Sequence, residues 1–342
     1  MKLIDTRDAV GHVLCHDITQ IIPGVTKDAV FRKGHVVREE DIPVLLSVGK
    51  EHLYVWEQQE GMLHENEGAE ILRSLCQGEN LNPTPVKEGK IELVADCDGV
   101  LLVDRAKLRA VNSLGELMIA SRHGNFPVSK GDKVAGTRVI PLVIAQEKLD
   151  RAREVTGGGP IFRVLPFHPK RVGLVVTGSE VYYGRIEDKF TPVLEAKMAE
   201  YGAEIIGREV TNDEAEMTTE AIFRLLEAGA EMVLCTGGMS VDPDDRTPLA
   251  IRNTGAEIVT YGAPVLPGAM FLLAYWGERR IPIVGLPGCV MYAKRTIFDL
   301  VLPRLMADVP VRRADLDGLG EGGLCLNCPT CTFPNCGFGK GS

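Results

Sequence analysis

The chain has 342 residues, and its 38 Lys and Arg residues against 47 Asp and Glu residues give a formal net charge of −9. An acidic chain without a long basic run is a poor nucleic-acid or anionic-membrane binder, and a hydrophobic share of 45% excludes a wholly disordered protein. The length predicts two or three domains. Because the N-terminus has no apolar signal core and the most apolar stretch, residues 265–276, is too short to span a bilayer, we expect a cytoplasmic protein.

The N-terminal half of the chain predicts two segments of different character. Residues 1–60 combine strand-like and helical stretches, which indicates a small α+β segment. Residues 61–155 contain short apolar runs separated by turns with Gly, which indicates a β-rich domain. The glycine-rich residues 156–160 predict a hinge.

The next segment, residues 166–308, alternates apolar strands with helices. We expect strands at residues 171–177, 204–210, 231–236, 257–261 and 281–285, with helices at 190–201, 213–228, 248–253 and 289–305. Uniformly apolar strands alternating with helices predict a three-layer α/β/α domain with a mostly parallel sheet. The last segment, residues 315–342, is a Cys-rich tail.

Three turns at the ends of these strands carry glycines and hydroxyl side chains. They comprise Thr177, Gly178, Ser179 and Glu180; Thr236, Gly237, Gly238, Met239 and Ser240; and Pro287 and Gly288. Because open α/β sheets bind ligands beyond the carboxyl ends of their strands, we expect a phosphate-bearing ligand across the three turns. The alternative is a set of ordinary tight turns between strands and helices, which also favour Gly and Ser.

An acidic group follows the turn at Gly237 and Gly238. Asp242, Asp244 and Asp245 could bind Mg²⁺ beside a phosphate or act as acid–base groups. The alternative is a solvated loop that caps the next helix.

The nine cysteines divide into two groups. Five are scattered singly and are expected to be buried thiols and not disulfides: Cys15, Cys76, Cys97, Cys235 and Cys289. Four crowd into the tail with the spacing C-x2-C-x2-C-x4-C: Cys325, Cys328, Cys331 and Cys336. Four thiolates so close together predict an iron–sulfur cluster, with zinc as the alternative and a reactive, unliganded tail as the third possibility.

Several of these motifs together resemble a known domain family. Residues 236–241 followed by Asp245, with residues 175–180 upstream and 285–288 downstream, resemble the molybdopterin-binding domain of molybdenum cofactor biosynthesis proteins. The resemblance covers roughly residues 169–303 and is closest in layout to molybdopterin molybdenumtransferase. It implies a pterin phosphate across the three turns, Asp245 as the functional acid, and a homo-oligomer.

The resemblance leads to one main hypothesis and two alternatives. The main hypothesis is a molybdopterin-binding protein of cofactor biosynthesis, acting as a transferase in metal insertion or nucleotidyl chemistry with magnesium, or in delivery to a molybdoenzyme partner. The first alternative is a non-catalytic carrier or redox-responsive adaptor, favoured by the appended cysteines and by the lack of the family's Asp-Gly-Tyr-Ala segment. The second is a nucleotide hydrolase of the competence-damage-inducible type, whose signature resembles Asp244, Asp245 and Thr247.

Overall fold

The computed structural model describes residues 2–22, 26–55 and 60–341. The strands in these ranges are β1 (Lys2–Asp5), β2 (Ile18–Ile22), β3 (Thr26–Phe31), β4 (His52–Val55), β5 (Met62–His64), β6 (Leu81–Pro83), β7 (Lys90–Ala95), β8 (Gly99–Val103), β9 (Leu117–Ser121), β10 (Pro127–Val128), β11 (Lys133–Val139), β12 (Val143–Ala145), β13 (Phe162–Pro166), β14 (Arg171–Thr177), β15 (Glu204–Thr211), β16 (Met232–Thr236), β17 (Glu257–Tyr261), β18 (Leu272–Trp276) and β19 (Ile281–Leu286). The helices are α1 (Ile42–Ser47), α2 (Glu65–Cys76), α3 (Arg105–Asn112), α4 (Gln146–Thr156), α5 (Ser179–Tyr182), α6 (Phe190–Ala199), α7 (Ala215–Glu227), α8 (Thr247–Asn253), α9 (Ile297–Met306) and α10 (Arg313–Asp317). Among the described residues, no helix combines the length and the apolar character needed to cross a membrane.

The chain forms two compact units. The N-terminal unit contains residues 1–96, 103–122 and 131–163, and the C-terminal unit contains residues 97–102, 123–130 and 164–342. Residues that the sequence analysis assigns to separate segments therefore share one unit, and the expected hinge at residues 156–160 lies inside the N-terminal unit.

The N-terminal unit is built on antiparallel pairs. Its largest sheet has the order β6-β7-β11-β9, and β1 pairs with β4, β2 with β3, and β5 with β12. His64 caps the start of helix α2: its Nδ1 accepts a hydrogen bond of 3.1 Å from the Asn66 amide. In return, the Glu67 carboxylate accepts a hydrogen bond of 2.9 Å from the His64 amide. This reciprocal capping satisfies backbone donors of the first turn and fixes where the helix starts.

The C-terminal unit contains a mixed sheet with the order β15-β14-β16-β19-β18-β17. Strand β14 is parallel to β15 and β16, and β16 is parallel to β19, whereas β18 is antiparallel to both of its neighbours. The expected α/β fold class is confirmed. The expected strands omitted β18, which returns to β19 through a tight turn without an intervening helix.

One expected helix begins later in the structure than the sequence predicts. A helix was expected over residues 289–305, but residues 288–291 form a short 3₁₀ turn and α9 starts at Ile297. Thr296 sets this start, because its hydroxyl accepts from the Phe298 amide at 3.2 Å and the Asp299 carboxylate accepts from the Thr296 amide at 2.7 Å.

Consecutive residues of β14 belong to different hydrophobic clusters. Leu174 packs in a cluster with residues of α6 and α9, and Val175 packs in a second cluster with residues of α7 and α8. Because successive side chains of a strand point to opposite faces, this sheet buries residues on both faces. A buried ion pair of 2.5 Å, between Lys197 Nζ and Asp299 Oδ1, joins α6 to α9.

Candidate functional site

The ends of β14 and β16 are tied together by threonine hydroxyls. The Thr177 hydroxyl donates to the Thr236 carbonyl at 2.9 Å and lies 3.1 Å from the Thr247 hydroxyl. The Thr247 hydroxyl in turn donates to the Gly237 carbonyl at 2.8 Å. The buried Thr177 hydroxyl therefore holds the two turns in register.

The close approach of these two turns requires glycine at position 237. Gly237 has a φ of +82°, and a Cβ at this position would lie 2.2 Å from the Thr177 carbonyl oxygen. Any side chain here would combine an unfavourable backbone conformation with a steric clash. The glycine thus allows the turn after β16 to pack directly on the end of β14.

Two backbone amides in the turns donate to carboxylates. The Ser179 amide donates to Asp213 Oδ2 at 3.0 Å, and the Ser240 amide donates to Asp245 Oδ2 at 2.8 Å. The Asp245 amide donates to the Asp242 carbonyl at 2.9 Å, which folds the acidic loop back on the turn. Each carboxylate occupies the place where an anionic group of a ligand would accept from these amides.

A cavity of about 460 Å³ opens beside the two turns. The expected site residues that line it are Thr177, Gly178, Glu180, Gly237, Gly238, Asp242, Asp244 and Asp245. In the part of the chain that the structure describes, the other expected residues do not line this cavity: Ser179, Thr236, Met239, Ser240, Pro287 and Gly288.

The packing explains why some expected residues lie outside the cavity. Met239 is 3% exposed, and its Sδ and Cε lie within 3 Å of where a Cβ on Gly285 would be. Thr236 is fully buried, and its hydroxyl has no hydrogen-bond partner among the described residues. Pro287 precedes the 3₁₀ turn at residues 288–291, and it is Met291 from this turn that reaches the cavity.

The cavity also contains residues that the sequence analysis missed. Asp213 lies two residues after the end of β15, so the strand-end rule that found the other turns could have found it. Asp188 lies in the loop before α6, where no strand or motif points to it. Burial raises the pKa of Asp188, but hydrogen bonds from Thr191 and Phe190 and the Arg208 charge outweigh it, so the pKa is lowered overall.

The cavity is strongly acidic. Its lining includes the carboxyl groups of Glu180, Glu187, Asp188, Asp213, Asp242, Asp244 and Asp245, together with the base Lys189. Within residues 2–22, 26–55 and 60–341, however, no three or more His, Cys, Asp or Glu side chains form a group that could hold a metal ion. The carboxyl groups supply the right chemistry for Mg²⁺, but in this conformation they do not form a ligand set for it.

Tyr261, which is not among the residues lining the cavity, supports the turn that precedes the acidic loop. The single O–H of Tyr261 is shared between two acceptors, the Met239 carbonyl at 3.1 Å and the Ser240 carbonyl at 3.3 Å. Burial, together with the nearby Asp245 charge, raises the pKa of Tyr261. The hydroxyl therefore stays protonated and keeps both hydrogen bonds at neutral pH.

The four tail cysteines line a second cavity of the C-terminal unit, with a volume of about 260 Å³. Cys325 and Cys336 are half-buried, whereas Cys328 and Cys331 are exposed, and all four are free thiols. They all line the cavity, but within the described ranges no three of them form a group that could hold one metal ion. The same cavity is lined by Lys294.

Comparison with known families assigns two parts of the chain. Residues 173–307 match the family model described as "Probable molybdopterin binding domain". The resemblance to the molybdopterin-binding domain family is confirmed for this segment. It contains both turns that line the 460 Å³ cavity and the acidic loop beside them. Residues 3–57 match a "Domain of unknown function (DUF8806)".

Individual proteins with a similar domain match different shares of the chain. A molybdopterin molybdenumtransferase from Synechococcus elongatus is 25% identical over 180 residues, which is 50% of this chain and 42% of the relative. A CinA-like protein from Mycobacterium tuberculosis is 29% identical over 90 residues, 26% of this chain and 21% of the relative. The solved structure of the molybdopterin biosynthesis enzyme MoaB from Thermus thermophilus has 22% identity and a TM-score of 0.33, and covers 41% of this chain and 94% of that one. The match thus spans less than half the length of the two curated relatives.

Proposed function

We propose that the C-terminal unit binds molybdopterin through its phosphate in the cavity beyond β14 and β16, and that the protein takes part in molybdenum cofactor biosynthesis or delivery. The observation that carries the proposal is the convergence of the two glycine turns on one cavity of about 460 Å³ within the segment that matches the domain family. A cleft of this size at the carboxyl ends of parallel strands is where α/β sheets bind their ligands.

The lining suits the two chemically different ends of a pterin phosphate. Val181, Ile186, Phe190 and Met291 supply apolar contacts for a planar ring. At the turns, the amide of Ser240 is available to a phosphate once the Asp245 carboxylate moves aside, and Lys189 contributes a positive charge. In this proposal the phosphate replaces the Asp245 carboxylate as the acceptor of the Ser240 amide.

Asp245 is the residue that we assign to chemistry on the bound pterin. Its carboxylate is held at the cavity by the Ser240 amide, within reach of a phosphate that binds there. In a transferase performing metal insertion or nucleotidyl transfer, this carboxylate would act as the functional acid, with Asp242 and Asp244 beside it. In a carrier, the same residue would only control how tightly the phosphate is held.

Other features accompany this proposal. We propose a three-layer α/β/α arrangement for the C-terminal unit, supported by the two hydrophobic clusters that take alternate residues of β14. We also propose a cytoplasmic location, a homo-oligomer, a molybdoenzyme as the receiving partner, and a metal centre in the tail. The four-part division of the chain expected from the sequence, at residues 1–60, 61–155, 166–308 and 315–342, remains a prediction.

The proposal is tested by titrating the full chain with molybdopterin and following pterin fluorescence. Gly237→Ala should abolish binding, because its Cβ would push the Thr177 carbonyl away and separate the two turns. The matched control is Gly255→Ala, since Gly255 has a similar φ of +78° but open space around its Cβ position. We expect the control to cost about 1–2 kcal/mol of stability from backbone strain alone and to keep binding.

Two results would contradict this assignment. One is saturable pterin binding that Gly237→Ala leaves unchanged while the variant stays folded. The other is a wild-type chain that binds no pterin but hydrolyses ADP-ribose or a pyridine nucleotide, which would favour the hydrolase alternative. Turnover of adenylylated molybdopterin in the presence of molybdate would separate the transferase from the carrier.

A further inference from the structure

The segment that carries the four tail cysteines is a loop fixed at both ends. At its start, the Cys325 amide donates to the Leu266 carbonyl and the Leu266 amide donates to the Gly323 carbonyl, both at 2.8 Å. At its end, the Gly339 amide donates to the Gly322 carbonyl at 2.9 Å. The residues between these two anchors therefore form a closed loop on the C-terminal unit.

The middle of this loop is also attached to the domain. Lys294 Nζ donates to the carbonyls of Cys328 at 3.2 Å and Pro329 at 2.7 Å. The Phe333 ring packs 5.8 Å from the Phe126 ring, measured between centroids. Because the backbone is held by these contacts, the loop loses little additional conformational entropy when it takes up a ligand.

We propose that Cys325, Cys328, Cys331 and Cys336 bind a four-iron iron–sulfur cluster in the cavity that they line. All four residues line the same space of about 260 Å³, and two of them are exposed while two are half-buried. The run C-x2-C-x2-C matches the first three positions of the bacterial four-iron run, and the fourth cysteine follows after four residues instead of three. In two-cluster ferredoxins the fourth cysteine of that run ligates the other cluster, whereas here all four cysteines line one cavity. This inference deepens the metal centre proposed for the tail by naming its class, and it does not depend on pterin binding.

The geometry favours a cluster over a single zinc ion. Zinc binds four thiolates at about 2.3 Å each, so its ligands gather around one point. In the described part of the chain, no three of the tail cysteines form a group that could hold one metal ion. They line a cavity whose volume of about 260 Å³ is many times what one ion or one water molecule needs. A core of iron and sulfide fills such a space and allows the thiolates to stand farther apart.

The charge around the cavity also suits a cluster. Each cysteine binds iron as a thiolate and releases its proton to solvent, so the loaded site carries net negative charge. Lys294 and Arg295 both line the cavity, and Lys294 is held there by the carbonyls of the loop itself. Arg295 already forms an ion pair of 2.9 Å with Asp299. Lys294 is therefore the better candidate for offsetting the negative charge of the cluster.

The test is metal analysis of the full chain purified without oxygen. We expect about four iron and four acid-labile sulfide per chain, and a broad visible absorption that bleaches with dithionite. Cys331→Ser should lose most of the iron and the absorption, whereas Cys97→Ser, which changes a half-buried cysteine outside the tail, should keep both. Lys294→Gln should keep the iron but make the cluster harder to reduce, because a positive charge beside it is removed.

Zinc at about one per chain without sulfide would overturn the proposal, as would iron and sulfide at about two per chain. Iron content that is the same in Cys331→Ser as in the wild type would also overturn it. If Cys331→Ser fails to fold, the metal-free wild type is reconstituted with ferrous iron and sulfide, and failure to regain the absorption then counts against the cluster. A pterin titration of the metal-free chain is read separately, so this result and the proposed function can fail independently.

Discussion

The carboxylate of Asp245 accepts a hydrogen bond of 2.8 Å from the backbone amide of Ser240. This contact holds the acidic loop against the turn after β16 and places a negative charge where an anionic ligand would bind. Asp245 therefore shapes the turn and, under the proposed function, would also oppose the bound phosphate.

Asp245→Asn separates these two effects. The asparagine side-chain oxygen can still accept from the Ser240 amide, so we expect the turn to be kept while the charge is lost. Removing one negative charge near the phosphate should tighten pterin binding about three- to tenfold, and a transferase should lose turnover. Fluorescence titration and an activity assay measure the two quantities.

The control for this experiment is Asp150→Asn on α4, which changes the net charge equally in the N-terminal unit. It should leave affinity unchanged. Weaker binding by Asp245→Asn than by the wild type would mean that the carboxylate contributes to holding the ligand, and full turnover in the variant would remove Asp245 from the mechanism.

We expect different effects on stability when the threonines at the ends of β14 and β16 are each replaced by valine. Thr177→Val removes a hydroxyl with partners at the end of β16 and at the start of α8, and should lower the free energy of unfolding by about 1–2 kcal/mol. Thr236→Val removes a buried hydroxyl that has no partner among the described residues, so stability should stay the same or rise by up to about 1 kcal/mol. Urea unfolding of the two variants measures the difference.

These two threonines also test the site. If Thr236→Val weakens pterin binding while it leaves stability unchanged, its hydroxyl contacts the ligand after a rearrangement. If the two variants lose equal stability, the hydrogen-bond assignment at Thr177 is wrong.

The sequence could predict the strands that frame the site but not all of their neighbours. Runs such as Val172 to Val176 are apolar at every position because both faces of the sheet are covered, and this pattern identifies a central strand. Strand β18 is equally apolar, but it follows a turn and not a helix, so the alternation of strand and helix gives no reason to expect it.

The position of the cavity could be predicted from the sequence, but the residues that line it could be predicted only in part. Strand ends meet at one edge of a parallel sheet, which is why Gly178 and Gly237 come together. The register of β14 against β16 could not be predicted. Thr236 pairs with Val176 and not with Thr177, so Thr177 extends one residue further toward the cavity. Asp188 reaches the site from a loop whose path depends on the packing of the whole unit.

The buried ion pair between α6 and α9 provides a prediction about stability. Lys197→Met leaves Asp299 in the core without its cation, although Arg295 at 2.9 Å still compensates in part. We expect a loss of about 3 kcal/mol. The matched control is Lys189→Met, whose ion pair with Glu187 is exposed and should contribute less than about 1 kcal/mol.

Guanidinium unfolding of these two variants gives the comparison. A loss in Lys197→Met no larger than that in Lys189→Met would mean that the buried pair adds nothing to stability beyond what an exposed pair provides.

The lowered pKa of Asp188 predicts that the free energy of unfolding falls at acidic pH. Its pKa in the folded chain lies below the ordinary value of 3.8, so its carboxylate adds stability that is complete above that value and is lost as the pH falls through the folded pKa. Asp188→Asn should therefore destabilise the protein at neutral pH and flatten the decline below about pH 4. Unfolding curves recorded between about pH 2.5 and about pH 7 measure this, and parallel curves for variant and wild type would contradict it.

The path of the chain through its two units has a consequence for fragments. The chain passes from one unit to the other after residues 96, 102, 122, 130 and 163, so the C-terminal unit is assembled from three separate stretches. Phe126, from the second stretch, belongs to the same hydrophobic cluster as Phe298 and Phe338. A fragment cut at the boundaries of the family match, residues 173–307, would lack Phe126 and Phe338 and leave their apolar neighbours facing water. In this chain, therefore, the core of the family segment is completed by residues on both sides of it, and the stretch 173–307 expressed alone should unfold more easily than the full chain.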